Sequence, residues 1–135
     1  MINLNNYKNQ QEVFDLMAEC MWPDEERIKK QLNAYKTEDD RSLLGEISNN
    51  ELIGLIGIKQ AGDEFELLHI AVKKAYRGKG IAKKMIDECI RNNNIKILEA
   101  ETDKDAVEFY KRTGFTVTSI GEKYPGRERF KCIWK

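Results

Sequence analysis

Arg77, Gly78, Lys79 and Gly80 fall where a run of strand-type apolar residues gives way to helical spacing. Residue types in that order suit an anion. Glycines lack a Cβ, so they reach dihedrals closed to other residues and let a ligand approach the main chain. A helix that starts there offers unpaired N–H groups and the positive end of its macrodipole. Arg77 and Lys79 add formal charge, so main chain and side chain together could grip a pyrophosphate. The same four residues would also serve a plain strand-to-helix turn, with glycines for geometry and solvated bases. A Walker-type phosphate loop is excluded, because Gly80 is followed by Ile81 and Ala82 and not by Lys and Ser or Thr. A dinucleotide fingerprint is excluded too, because its third glycine position is Lys83. What remains is R-x-x-G-x-A, filled by Arg77, Gly80 and Ala82.

The elements that hold this turn are legible from periodicity. Glu64 to Val72 alternates and then runs apolar through Leu67, Leu68, Ile70, Ala71 and Val72, as a strand buried on at least one face does. From Ile81 the apolar residues Ala82, Met85, Ile86, Cys89 and Ile90 recur at helical spacing, with Lys83, Lys84, Asp87, Glu88 and Arg91 on the outer side. His69, the single histidine, titrates near neutrality. On so apolar a strand it reads first as a core histidine with a satisfied partner, and second as a base.

The R-x-x-G-x-A turn, together with Ala106, Phe109, Tyr110, Gly114 and Phe115 in an A-x-x-F-Y-x-x-x-G-F pattern, resembles the two signatures of the GNAT superfamily of acyl-CoA-dependent N-acetyltransferases. The resemblance is close over residues 52–115 and elsewhere extends to the order of elements. It implies an α/β (α+β) fold, with a mixed, mostly antiparallel central sheet and helices on both faces. It also implies acetyl-CoA as cosubstrate and an amine, small-molecule or peptide, as acceptor. Transfer of a longer acyl group and a non-catalytic coenzyme-sensing module of the same fold are the alternatives.

Length and composition agree with a single domain over residues 1–135, which the resemblance implies is an N-acetyltransferase domain. The 23 basic residues balance 23 acidic ones, so no global field favours nucleic acid or an anionic membrane. The three cysteines, Cys20, Cys89 and Cys132, show no metal-ligand spacing and read as reduced packing residues, so no metal is expected. MINLNNYKNQ has no basic region followed by an apolar core. The longest apolar run, Leu52 to Ile58, is far short of the roughly 20 residues that span a bilayer. A cytoplasmic protein, monomer or homodimer, is the expectation.

Along the rest of the chain, Ile2 and Leu4 suit a short edge strand, and Asn9 with Glu12 forms a capping-box pattern before a helix whose face runs to Trp22. Pro23 is expected at the first position of a second helix. Trp22 reads as a core or hinge aromatic, though in the resembled family this corner also borders the acceptor pocket. Residues 41–48 and 51–59 form a hairpin about Asn49-Asn50, and a turn over Gln60 to Asp63 leads into the strand at Glu64. Ile95, Ile97 and Leu98 open a strand to about Glu101, and Thr102 or Asp103 caps a helix that stops at Gly114. Two closing strands, 115–120 and 129–134, flank Tyr124-Pro125-Gly126.

Acetyl transfer needs a held thioester, a neutral amine, a polarised carbonyl and an acid for the departing thiolate. The resemblance places the coenzyme pyrophosphate on Arg77, Gly78, Lys79, Gly80, Ile81 and Ala82. It places pantetheine and the acetyl oxygen at main-chain N–H groups near Ile70 and Val72, freed by a strand bulge. Tyr110 falls where the family keeps its general acid, and Glu66 where several members keep a catalytic glutamate. Packing beside Phe109 and plain surface exposure are the respective alternatives. Where the family often has Asn, three before the Ala of the second motif, this chain has Asp103, and an amide donor is lost. Glu122 and Tyr124 in the last loop, and Asp24 to Glu26 near Trp22, would suit a cationic amine or are solvated loop charge.

Overall fold

The computed structural model describes residues 1–135 apart from the side chain of Lys123. Seven strands form one sheet: β1 (Ile2–Asn3), β2 (Arg41–Ser48), β3 (Glu51–Ala61), β4 (Glu64–Val72), β5 (Leu98–Asp103), β6 (Thr116–Tyr124) and β7 (Arg127–Trp134). Their spatial order is β1-β2-β3-β4-β5-β7-β6. Every neighbouring pair is antiparallel except β4 and β5. The helices are α1 (Gln10–Met17), α2 (Glu25–Thr37), α3 (Ile81–Asn92) and α4 (Val107–Arg112).

Two cores lie on opposite faces of the sheet. Val13, Leu16 and Met17 of α1 and Ile28 and Tyr35 of α2 pack with Leu43, Leu55 and Ala71. Met85, Ile86 and Cys89 of α3 and Tyr110 of α4 pack with Ile56, Ile58, Leu67 and Leu98. Because β3 is covered on both sides, Leu52 to Ile58 is buried without interruption, which is why it reads as an apolar run and not as an alternation. Among the described residues no helix is long and apolar enough to cross a membrane.

Local chemistry accounts for the element ends. Asn49 and Asn50 both adopt positive φ, 50° and 61°, in the two-residue turn between β2 and β3. Asn9 caps α1 by accepting from Glu12 N–H at 3.2 Å. Glu12 does not complete a reciprocal box; its carboxylate accepts from Leu52 N–H and Tyr7 Oη instead. The second helix starts later than Pro23 suggests. Asp24 is the cap, accepting from Glu26 and Arg27 N–H, because a carboxylate satisfies two orphan donors that a proline leaves open. Trp22 lies in the bend between these helices and is 66% exposed, so it is not a core aromatic. The first strand stops at Asn3 because Leu4–Asn6 winds into a single 3₁₀ turn that buries Leu4. At the other end of the chain β6 and β7 run on to a tight turn at Pro125-Gly126, longer than their alternation alone implies.

One glycine is dictated by close approach. Gly57 of β3 lies beneath the Tyr35 phenol, and a Cβ added there would stand 2.5 Å from Cζ and closer still to Oη. Gly57→Ala should therefore destabilise the protein by about 1–3 kcal/mol through overpacking. Urea unfolding would show this as a lower midpoint at unchanged slope; a wild-type midpoint would mean that the phenol yields without cost.

Candidate active site

Two hydrogen bonds show that β4 changes parity along its length. Phe65 N–H donates to Ile97 O at 3.0 Å, toward β5. Lys73 N–H donates to Ile53 O at 2.8 Å, toward β3. In an uninterrupted strand two odd-numbered residues would point to the same neighbour. The pairing steps from Ile58↔Leu67 to Gly57↔His69, so Leu68 is an extra residue, a β-bulge. Beyond it the alternation turns the Ile70 and Val72 amides away from β3. β5 is not there to receive them, since the two strands pair only at Phe65↔Leu98 and Glu66↔Glu99 and then separate. The opening is a cleft of about 960 Å³ between β4 and β5.

The bulge also sorts side chains. Phe65 and Leu67 pack with α3 and α4, as do Ile70 and Val72. Leu68 and Ala71 pack with α1 and α2, and His69 joins them, its Nδ1 2.7 Å from Tyr35 Oη. Burial first, and the Arg41 guanidinium second, hold the imidazole down at about 4 from its usual 6.5. His69 is thus a neutral, partnered side chain lining the cleft. Cys20, from the turn after α1, stands against the Ile70 N–H; burial pushes its thiol up to about 12 despite that donor, and it remains protonated.

The basic turn follows β4 directly. Lys73 Nζ and Tyr76 Oη both bind the Glu51 carboxylate, which pins a single 3₁₀ turn at Lys74–Tyr76. Arg77 Nε donates to Val72 O at 2.9 Å, and its other end lies 3.6 Å from Glu19. Gly78 and Gly80 both have φ of 78°, a left-handed conformation, and open space where a Cβ would be. Gly80 caps α3 with no side chain, and Lys84 N–H makes the first intrahelical bond back to Gly80 O. The amides of Ile81, Ala82 and Lys83 therefore precede that ladder and face outward.

A second groove, of about 570 Å³, runs over these donors. Its wall includes Gly78, Gly80, Ile81 and Ala82, together with Phe109 and Arg112 of α4. Lys79 is not part of that wall; its ammonium lies 5.5 Å above the Tyr76 ring. Lys83 and Arg112 are two cations at the groove that sequence reasoning missed. Helical spacing put Lys83 on the outer face, and Arg112 carries no local signal. The groove and the cleft share Ile70, Ala71, Val72 and Arg77, so they meet along the open edge of β4.

Tyr110 lines the cleft from the opposite side. Phe109 and Phe115 hold its ring edge-on at 5.2 and 5.1 Å, and burial pushes its hydroxyl above the usual range for a phenol. Asp103 accepts from the Asp105 and Ala106 N–H groups at 3.0 and 3.1 Å, so its carboxylate closes the turn before α4 and does not cap the helix, whose cap is Ala106 with no side-chain bond. Glu66 is exposed, in the paired stretch before the bulge, and is not among the residues that line the cleft.

A parallel-to-antiparallel sheet that opens between β4 and β5 over a glycine-rich helix start has counterparts among known proteins. Residues 4–125 match the acetyltransferase (GNAT) domain. The chain belongs to that family and is an acetyltransferase. It is 33% identical over 87 residues to an uncharacterized N-acetyltransferase in the lysA 3′ region of Bacillus methanolicus, covering 62% of this chain and 72% of that protein. It is 31% identical over 88 residues to the N-alpha-acetyltransferase RimI of Mycobacterium tuberculosis, covering 60% of this chain and 56% of the relative. The fold matches an aminoglycoside 6′-N-acetyltransferase complexed with coenzyme A, with TM-score 0.82 over 98% of this chain and 93% of the other, at 16% identity.

The depressed His69 value makes stability depend on pH. An unfolded chain binds the proton from about 6.5 downward and the folded one not until about 4. Stabilisation from neutral His69 is therefore full above 6.5 and lost as pH falls toward 4, by on the order of 2–3 kcal/mol after allowance for partial exposure. Unfolding curves of wild type and His69→Asn at pH 7 and pH 4 should show the larger loss in the wild type. Equal losses would mean that the imidazole is not held neutral.

Proposed function

We propose that this chain moves an acetyl group from acetyl-CoA to an amine by direct attack in a ternary complex. The observation that carries the reading is the junction of the two grooves at Ile70–Val72, where a thioester lying in one would present its carbonyl to an amine in the other. Arg77, Gly78, Gly80, Ile81 and Ala82 would hold the pyrophosphate through main-chain donors and the guanidinium. Lys79 would contribute charge from the rim. The Ile70 and Val72 amides would bind pantetheine and the carbonyl oxygen, where negative charge develops.

The amine nitrogen bonds to the carbonyl carbon and gives up one N–H proton to water, the carbon–sulfur bond breaks, and the thiolate takes the phenolic proton of Tyr110. Solvent reprotonates the phenolate. Burial raises the phenol, but it raises the proton affinity of a thiolate released into the same cleft as well, so the transfer stays matched. Glu66 enters as a base acting through intervening water, since its carboxylate stands outside the cleft lining. Relatives that carry the name N-acetyltransferase support an amine, small-molecule or peptide, as acceptor.

Gly80→Glu tests the pyrophosphate site. The added Cβ meets nothing within 4 Å, so strain at positive φ costs only about 1–2 kcal/mol and the fold should survive. Calorimetry should then detect no acetyl-CoA binding, and unchanged affinity would remove the turn from the site. Tyr110→Phe should lower turnover with a working amine by on the order of 100-fold while coenzyme affinity holds. Wild-type turnover would reduce Tyr110 to packing. With Glu66→Gln the loss should be largest at neutral pH and shrink as alkaline solvent deprotonates the amine; a wild-type profile would take Glu66 out of the reaction.

A further inference from the structure

We infer that Tyr35 of α2 is a positioning residue for acyl transfer, acting through its hydrogen bond to His69 to fix where the β4 bulge sits. The inference rests on the reading of the Ile70 and Val72 amides given above. The segment from Leu67 to Val72 is apolar at every position except 69, so its packing alone specifies register weakly. Leu68, Ile70 and Ala71 are chemically interchangeable as the extra residue. His69 is not.

If the extra residue slipped past His69 toward the C-terminus, His69 would keep the parity of Phe65 and Leu67. It would then turn toward α3 and α4, an apolar face, and lose the Tyr35 hydroxyl. The same slip would turn the Ile70 N–H toward β3 and take it out of the cleft. One part-buried hydrogen bond therefore discriminates between a register with amides facing the cleft and a register without them. The cost of an unpaired buried imidazole and phenol sets the gap.

The phenol is itself seated firmly. Gly57, the residue opposite His69 on β3, leaves the space that Oη occupies. The Arg41 guanidinium covers the ring 5.6 Å from its centre, and Gln31 holds that guanidinium at 3.1 Å. Tyr35 does not line the cleft or the groove, so it does not touch bound substrate. Its influence passes through the strand.

The test uses the intact ¹⁵N-labelled protein, with acetyl-CoA as the thioester probe and ADP as a probe of the pyrophosphate end alone. In Tyr35→Phe, which keeps the ring, acetyl-CoA affinity should fall about tenfold, the change expected for the loss of one hydrogen bond that orders the strand. ADP affinity should hold within about twofold. The downfield shift that acetyl-CoA induces in the Ile70 and Val72 amide protons should be lost. His69→Leu should behave in the same way, whereas His69→Asn, whose amide reaches the position of Nδ1, should retain the wild-type shifts. Wild-type affinity and amide shifts in Tyr35→Phe would overturn the inference. Should that variant not fold, identical behaviour of His69→Leu and His69→Asn would overturn it instead. If acetyl-CoA moves neither amide in the wild type, the underlying reading of the amides fails and the positioning role falls with it. A lost shift in Tyr35→Phe beside a normal wild type sustains both.

Discussion

Leu68 has no partner on β3, and that single extra residue decides which way every later group on β4 points. A strand has two sides, and a regular ladder would commit the amides of Ile70 and Val72 to β3, where they would be consumed by pairing. The bulge reverses that commitment at the place where β5 departs, so a pair of donors faces an opening with no strand to receive them. The cleft is therefore a product of pairing geometry before it is a product of any side chain. Lys73, returned to β3 through Ile53, closes the irregular stretch and sets the starting point of the basic turn.

The turn works by the same logic of unclaimed donors. Gly80 ends the loop in a left-handed conformation and brings no side-chain cap, so the first amides of α3 stay free in a direction set by the helix axis. Arg77 then ties the two donor sets together, since its Nε rests on Val72 O while its guanidinium borders both the groove and the cleft. Glu51 holds the intervening residues from the far end of β3 through Lys73 and Tyr76. These are side chains of ordinary surface type, and their importance comes from which backbone groups they leave open.

The sequence carries some of this plainly and some not at all. The strand Glu64–Val72 and the helix from Ile81 follow from apolar period, and the glycines between them from the dihedrals a tight helix start requires. Asn49-Asn50 marks its turn for the same reason. The bulge has no local signature, because Leu67 and Leu68 are alike and either could face either core. The Tyr35–His69 contact joins residues 34 positions apart, and only the tertiary fold brings them together. Trp22 misleads because its size suggests burial while the bend it occupies leaves nothing above it. Pro23 misleads because two signals for a helix start stand side by side, and the carboxylate of Asp24 outcompetes the proline ring.

The strand order has a bearing on how the protein is made. β7 is inserted between β5 and β6, and it pairs with Glu101, Thr102 and Asp103 along the wall of the cleft. During synthesis the segments for β4, β5, α4 and β6 all leave the ribosome before the strand that bridges them exists. Until residues 127–134 emerge, β5 offers an unpaired edge and α4 lacks part of its floor, so a nascent chain can form the β2–β3–β4 meander but not the cleft. The groove over the start of α3 is also built in two stages, because Phe109, Arg112 and Thr113 of its wall follow the β4–α3 turn along the chain. A chain in which β7 has yet to pair displays a half-sheet with an open edge, a species that chaperones and proteases recognise readily.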